Sequence, residues 1–253
     1  MNVIIITGAS SGIGMEFARQ MDAHFSNIDE FWLIARRRDQ LEALAGRLQH
    51  RCRILSMDIT KDAQLERLED TLQEKGAVVR MLINAAGYGV LGKFDEQDRE
   101  SELGMVRLNC EALTNITHRV IPYMRRGSRI IQIASVAAFL PQIGFAVYAA
   151  SKAYVHSFSR ALGEELRDQG IYVTSVCPGP VDTPFFDRAE KTGNTMEIKK
   201  YVMVKADGVV AKALRDSYHK LPMSVYSPMM HAFLGVTKFV PHGLCLKVMK
   251  LFK

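Results

Sequence analysis

Tyr148 and Lys152 stand four residues apart in Tyr148-Ala149-Ala150-Ser151-Lys152, a spacing that puts a phenol and an ammonium on one face of a helix. A phenol titrates near pH 10 and moves protons poorly at neutral pH unless a neighbouring cation favours its anion, a part open to Lys152. Taken alone, such a pair reads first as an ordinary surface helix pair. It is not alone: Ser135 lies thirteen residues earlier, at the end of an apolar run with the character of a strand. The carboxyl ends of parallel strands are where open α/β sheets bind their ligands.

A second constellation opens the chain. The run Val3 to Ile6 passes directly into Thr7-Gly8-Ala9-Ser10-Ser11-Gly12-Ile13-Gly14 and then into a helical pattern. Glycines in such a turn let backbone approach a pyrophosphate, and the N-terminus of the following helix offers that anion unpaired N–H groups and the positive end of a dipole. The next apolar run ends Leu33-Ile34-Ala35 and is followed by Arg36-Arg37-Arg38. At this tip an acid would hold a free ribose 2′-hydroxyl, whereas an arginine would pair with a 2′-phosphate. No acid is present and three cations are, so NADP(H) is expected over NAD(H). A solvated basic helix start, with Asp39 neutralising one arginine, is the plainer alternative.

These groups need a scaffold, and the hydropathy pattern supplies one. Strands are expected at 3–7, 31–35, 52–57, 80–85, 128–134, 171–177 and 222–226, with helices between them at 12–25, 39–50, 62–75, 101–125, 148–169 and 207–220. In the helix at 39–50, Leu41, Leu44, Ala45 and Leu48 recur at helical spacing and should face the sheet. Strands alternating with crossover helices imply an α/β fold: a doubly wound, Rossmann-type parallel sheet of about seven strands with helices on both faces. No repeat or linker interrupts the pattern. Residues 1–253 are therefore expected to form a single dinucleotide-binding and catalytic domain.

In this order and spacing the motifs resemble the short-chain dehydrogenase/reductase family over most of the chain. Gly8, Gly12 and Gly14 match its glycine turn, Asp58 the acid after the third strand, and Asn84 to Gly87 the Asn-Asn-Ala-Gly element with Ala85 in place of the second Asn. Asn109 matches the helical Asn; Ser135, Tyr148 and Lys152 match the catalytic set; Pro178-Gly179-Pro180-Val181-Asp182-Thr183 matches the element after strand six. The resemblance implies hydride exchange between NADP(H) and a carbonyl or secondary alcohol carbon. Tyr148 would be the proton donor, Ser135 would orient the carbonyl, Lys152 would lower the Tyr148 pKa and bind the nicotinamide ribose, and Asn109 would hold a relaying water. It also implies cofactor contacts from Gly8, Ser10, Ser11, Gly12, Ile13, Gly14, Arg36, Arg37, Asp58, Ile59, Asn84, Ala85, Gly87, Tyr148, Lys152, Pro178, Gly179, Val181 and Thr183, with no metal required. NADP-using relatives often carry a basic residue inside the glycine turn, where this chain has Ser10 and Ser11, so the cofactor preference rests on Arg36 with Arg37 in support.

The pocket rim is expected from Tyr88, Ala137, Phe139, Gln142, Phe145, Phe185, Phe186 and Met203, a largely apolar set suited to a hydrophobic ketone or hydroxysteroid-like substrate. Residues 182–205 would form a substrate lid. A 3-oxoacyl-thioester reductase is the main alternative, and a non-catalytic NADP(H)-sensing protein is a rival of another class. The presence of Asn109, Ser135, Tyr148 and Lys152 together favours an enzyme.

Composition narrows the setting. Of 253 residues, 48% are hydrophobic and 24% charged, which excludes a disordered chain or a disulfide-stapled miniprotein. Cys52, Cys110, Cys177 and Cys245 are scattered, without zinc-ligand spacing, as in a reduced cytoplasmic protein. Neither a signal peptide nor a spanning segment is expected. The net charge of +6 gathers in the tail, where no acid follows Asp216, and this argues against a nucleic-acid partner. The tail, 227–253, is amphipathic: Met229, Met230, Phe233, Leu234, Phe239 and Val240 lead to Pro241, and a second helix carries Lys247, Lys250 and Lys253 beside Leu244, Val248, Met249, Leu251 and Phe252. Peripheral contact with an anionic membrane, a pocket cover and a subunit contact are all open to it. The resemblance implies a homo-oligomer built through helices 101–125 and 148–169.

Overall fold

A computed structural model describes residues 1–25, 27–190, 193–194 and 202–251. Parts of the expected lid, 191–192 and 195–201, and the tail residues Phe252 and Lys253 lie outside the described residues, as do the side chains of Val248, Met249 and Leu251.

The strands β1 (Asn2–Thr7), β2 (Glu30–Ala35), β3 (Cys52–Ser56), β4 (Val78–Asn84), β5 (Met124–Ile133), β6 (Tyr172–Val176) and β9 (Met223–Ser224) form one sheet in the order β3-β2-β1-β4-β5-β6-β9. Every pairing is parallel. The short strands β7 (Val181–Asp182) and β8 (Val204–Lys205) pair apart from it. Helices α1 (Gly12–His24), α2 (Arg38–Ala45), α3 (Asp62–Glu74), α4 (Arg99–Val106), α5 (Leu113–Val120), α6 (Ala146–Glu165), α7 (Phe185–Ala189), α8 (Ala206–Tyr218), α9 (Pro228–Phe239) and α10 (His242–Leu251) connect and follow the strands.

Successive strand residues point to opposite faces, and β1 shows what each face requires. Val3 and Ile5 join Leu65, Leu68, Ile116 and Leu162 in one core, whereas Ile4 and Ile6 join Phe17, Met21, Leu41 and Val209 in the other. Burial on both faces explains why β1 is an unbroken aliphatic run rather than an alternating one.

The strand order reverses between β2-β1 and β4-β5, so a crevice opens at the carboxyl ends of β1 and β4. Thr7 and Asn84 are register partners there. The glycine turn and the Asn84 to Gly87 element both begin at this crevice.

Four expected elements are corrected. The helix placed at 39–50 ends at Ala45 with Gly46 as its cap, and Leu48 packs on the core from outside it. The helix placed at 101–125 is α4, a π-helical turn over Arg107–Ala112, α5 and a 3-10 turn over Ile121–Tyr123, where Pro122 cannot continue an α-helix. Strand β5 then starts at Met124 rather than at 128. The seventh strand, expected over 222–226, is only two residues long.

Candidate functional site

The glycine turn is fixed by contacts that tolerate no side chain. Gly8 has φ +67° and Gly12 φ +56°, a region most residues avoid. A Cβ at Gly14 would lie 2.5 Å from the carbonyl oxygen of Gly8, and one at Gly8 would lie 2.8 Å from the backbone of Ala85 and Ala86. The Thr7 hydroxyl accepts hydrogen bonds from the N–H groups of Ala85 and Ala86, each at 3.1 Å, and so ties the ends of β1 and β4 together. Ser11 stands at the N-cap of α1 but makes no side-chain capping bond, and no acid occupies the first turn. The helix terminus thus keeps donors and its dipole for an external anion. A dinucleotide diphosphate fits this cradle.

Beside it, Arg37 donates to the hydroxyls of Ser10 and Ser11, both at 3.0 Å. Arg36 is exposed at the tip of β2 and lines the same cleft as Asp58 and Ile59. Partial burial raises the Asp58 pKa, but hydrogen bonds from Thr60 and the charges of Arg36 and Lys61 hold it below the usual value.

The cleft has a volume of about 880 Å³. Ser10, Ser11, Ile13, Ala85, Gly87, Ser135, Tyr148, Lys152, Pro178, Gly179, Val181 and Thr183 line it with Gly8, Gly12, Arg36 and Arg37. Gly14 is not at its surface and serves by packing under Gly8. Asn84 is not there either. Its side-chain amide donates to Thr117 and Gln132, both at 2.9 Å, inside the sheet and α5 packing.

Ser135 caps a short 3-10 turn over Val136–Phe139, accepting from the Ala137 N–H at 3.1 Å. Tyr148 lies on α6, stacked on Phe145 with ring centres 4.1 Å apart and 5.5 Å from the Phe185 ring. Gly89 makes that stack possible, since a Cβ there would come 2.6 Å from Phe145 and 2.9 Å from Tyr148. One turn along α6, Lys152 donates to the Ile133 carbonyl at 2.7 Å and holds its ammonium 5.8 Å from the Tyr148 ring centre.

Asn109 sits in the π-helical turn, fully buried. It accepts from the Tyr88 N–H at 3.1 Å and donates to the Tyr88 carbonyl at 2.9 Å and the Ser151 hydroxyl at 3.0 Å. Ser151 in turn donates to the Tyr148 carbonyl at 2.7 Å. The missing side chain of Gly87 leaves a position 3.0 Å from the Asn109 oxygen and 3.5 Å from the Lys152 nitrogen, so these two groups border the same space.

The expected electrostatics need correction. Burial pushes the Tyr148 phenol up to about 12, opposed only by its hydrogen bond with Ser135, and Lys152 is not among the causes of the shift. Burial also pulls Lys152 down to about 8. The buried ammonium therefore carries a folding cost below pH 8. From there to 10.5 the unfolded chain holds a proton that the native state has shed, so the contribution of this group to stability rises with pH. Tyr148 acts oppositely above pH 10, where the unfolded phenol ionises first. In Lys152→Met the melting temperature relative to wild type is expected to be highest below pH 8 and to fall steadily toward pH 10. A constant difference across that range would show that the buried charge is not the cause.

Of the expected pocket rim, Tyr88, Ala137, Gln142, Phe145, Phe185 and Phe186 line the cleft. Phe139 and Met203 do not. Phe139 turns to pack edge-on against His156, and Met203 is exposed. Sequence reading missed Thr7, Gly89, Ser151 and Arg188. Thr7 and Ser151 lie inside motifs already quoted, whereas Gly89 and Arg188 carried no signal there.

A family model described as short chain dehydrogenase matches residues 2–194. Sulfoacetaldehyde reductase 2 of Chromohalobacter salexigens is 34% identical over 191 residues, covering 73% of this chain and 74% of the relative. A short-chain dehydrogenase from Sphingobium yanoikuyae, solved in complex with NADPH, superposes with a TM-score of 0.81 at 30% identity, covering 97% of this chain and 95% of that one. The bulky-bulky ketone specific alcohol dehydrogenase from Comamonas testosteroni superposes with a TM-score of 0.75 at 27% identity, covering 95% of each chain.

Proposed function

The chain belongs to the short-chain dehydrogenases, oxidoreductases that use a nicotinamide cofactor on a small molecule, and on that premise we propose that it is an NADP(H)-dependent carbonyl reductase or secondary alcohol dehydrogenase for a hydrophobic substrate. The observation that carries this reading is the placement of Tyr148 on the wall of the cleft, hydrogen-bonded to Ser135, with the Lys152 ammonium over its ring and the rings of Phe145 and Phe185 packed against it. When bound, the cofactor exchanges a hydride with the substrate carbon. Ser135 Oγ holds the carbonyl oxygen and Tyr148 Oη gives it a proton, or takes one in the oxidative direction. Ionising Tyr148 beside Lys152 keeps the compensating charge close by, and Asn109 keeps Tyr88 and Ser151 in place around that path. The catalytic set is thus Ser135, Tyr148 and Lys152, with Asn109 positioning it.

Apolar walls favour a bulky ketone or hydroxysteroid-like ligand over a polar sugar. A second cavity of about 520 Å³ adjoins the first through Ala137 and Gln142 and is walled by α6 and by His242 and Leu246 of α10. That position supports the pocket-cover role of the tail. Deleting residues 241–253 is expected to raise KM severalfold for a bulky ketone and to leave a small one unaffected, as steady-state kinetics would read. Equal effects on both would leave the tail without a pocket role. Phe239 and Leu244 are exposed, as are Lys247 and Lys250, so co-sedimentation with anionic vesicles tests the membrane role, and oligomeric mass tests the subunit role.

NADP(H) is supported by Arg36 beside Ala35 and by the bound NADPH of the Sphingobium yanoikuyae relative. The double change Ala35→Asp with Arg36→Leu is expected to move preference toward NADH by about tenfold or more, by removing the phosphate partner and supplying a 2′-hydroxyl acceptor. Equal wild-type affinity for NADPH and NADH would contradict the role of Arg36.

A further inference from the structure

Arg188, near the end of α7, takes no part in the proton chemistry, yet its guanidinium carbon lies 3.5 Å from the centre of the Tyr88 ring and its side chain lines the same cleft. Cation–π attraction and a hydrogen bond with Tyr88 hold the guanidinium there, and its fork of N–H donors exceeds what one phenol can take. Asp58 and Asp187 also line the cleft, but no carboxylate comes within ion-pair distance of Arg188 or Arg36 among the described residues. Burial lowers the Arg188 pKa, Tyr88 opposes this, and the charge of Arg36 adds to the lowering. The two guanidinium groups thus repel one another across the cleft, with Asp58 offsetting part of the charge of Arg36 and no ion-pair partner for either among the described residues. An anion bound there would relieve their repulsion.

The cleft geometry says which anion. Thr183, two residues before α7, stands so close to the glycine turn that a Cβ on Gly12 would meet its side chain at 3.3 Å. The wall that bears Arg188 therefore springs from the turn at the α1 N-terminus, whereas Arg36 stands at the tip of β2.

We infer that Arg188 binds the diphosphate of the cofactor from the α7 side, facing the α1 N-terminus, and leaves the adenosine 2′-phosphate to Arg36. The inference rests on the nicotinamide dinucleotide reading and is independent of the preference between NADP and NAD. It has a consequence for the substrate site. Helix α7 also carries Phe185 against Tyr148, so the diphosphate contact holds the apolar wall in place once the cofactor is bound.

The test is equilibrium calorimetry on the full chain with ADP-ribose, which has the diphosphate but lacks nicotinamide and 2′-phosphate, and with adenosine 2′-monophosphate. In Arg188→Ala the affinities for ADP-ribose, NADH and NADPH are expected to fall together by about tenfold, the scale of one hydrogen bond to a charged group, while that for adenosine 2′-monophosphate is unchanged. Arg36→Ala should show the complementary pattern, weakening NADPH and adenosine 2′-monophosphate only. Arg188→Lys should recover part of the loss. Unchanged ADP-ribose affinity in Arg188→Ala, or an effect confined to KM for the carbonyl substrate, overturns the inference. If Arg188→Ala melts far below wild type, Arg188→Gln and Arg188→Lys are compared under conditions where both are folded, and the same outcomes decide. Wild-type protein that binds none of ADP-ribose, NADH and NADPH would defeat the cofactor reading itself, and the inference with it.

Discussion

Tyr148→Phe is expected to abolish turnover while leaving NADPH affinity within about twofold of wild type. The substitution removes one oxygen from the proton path and keeps the ring that stacks on Phe145 at 4.1 Å. Loss of general acid-base help alone costs about 10²-fold or more. The phenol of the cofactor-free protein is pushed up to about 12, so near neutral pH it is the protonated form that awaits the substrate. Reduction should therefore proceed at neutral pH, and oxidation, which needs the phenolate, should accelerate as pH rises. Steady-state rates in both directions, with NADPH binding followed by fluorescence, check each part. Retained turnover in Tyr148→Phe would remove Tyr148 from the mechanism.

The second large effect is expected at the glycine turn. In Gly14→Ala the new Cβ would fall 2.5 Å from the Gly8 oxygen, and both partners are backbone, so neither can swing aside. Overpacking of this kind costs about 1–3 kcal/mol in stability. The greater loss should be in binding, because Gly8 cannot retreat without pressing on Ala85 and Ala86. We expect cofactor affinity to fall by about 10²-fold or more, with a smaller drop in melting temperature. Calorimetry and thermal melts of the variant read the two effects separately. Affinity equal to wild type would show that the turn does not face the cofactor.

The two constellations differed in how far sequence could carry them. The architecture was legible because a short β-branched run such as Val3 to Ile6, ending at a glycine turn, has the character of a strand buried on both faces, and because helix-length amphipathic segments follow such runs in turn. The glycine turn and the Tyr148, Lys152 and Ser135 set were legible because each is a short motif whose spacing carries its geometry. Contacts made by residues distant in sequence were not. Asn84 belongs to a motif at the crevice, yet its side chain turns into a hydrogen-bonded network with Thr117 and Gln132, and no local pattern announces that. Gly89 reads as an ordinary loop glycine until Phe145 and Tyr148 are folded against it. Arg188 is one cation among many until Tyr88 is brought beneath it. The phenol pKa failed for a related reason: charge proximity can be read from a four-residue spacing, whereas burial of both partners depends on the whole packed site.

The break in the long helix follows the same rule. Its hydropathy is continuous, and nothing in the pattern distinguishes an α-helix from one interrupted by a π-helical turn at Arg107–Ala112. That turn holds Asn109, whose bonds to Tyr88 and Ser151 link α4 and α5 to α6, the helix of Tyr148 and Lys152.

Hydride transfer itself is the most direct test of the account. Wild-type protein would be given NADPH deuterated on C4 of the nicotinamide, together with a panel of bulky ketones, steroids, small ketones and 3-oxoacyl thioesters, and the products read by mass spectrometry. The account predicts a secondary alcohol from a bulky hydrophobic ketone, with deuterium on its carbinol carbon and no such product from Tyr148→Phe. Tight NADPH binding with no labelled product from any member of the panel would contradict it and point instead to a protein that only senses the cofactor.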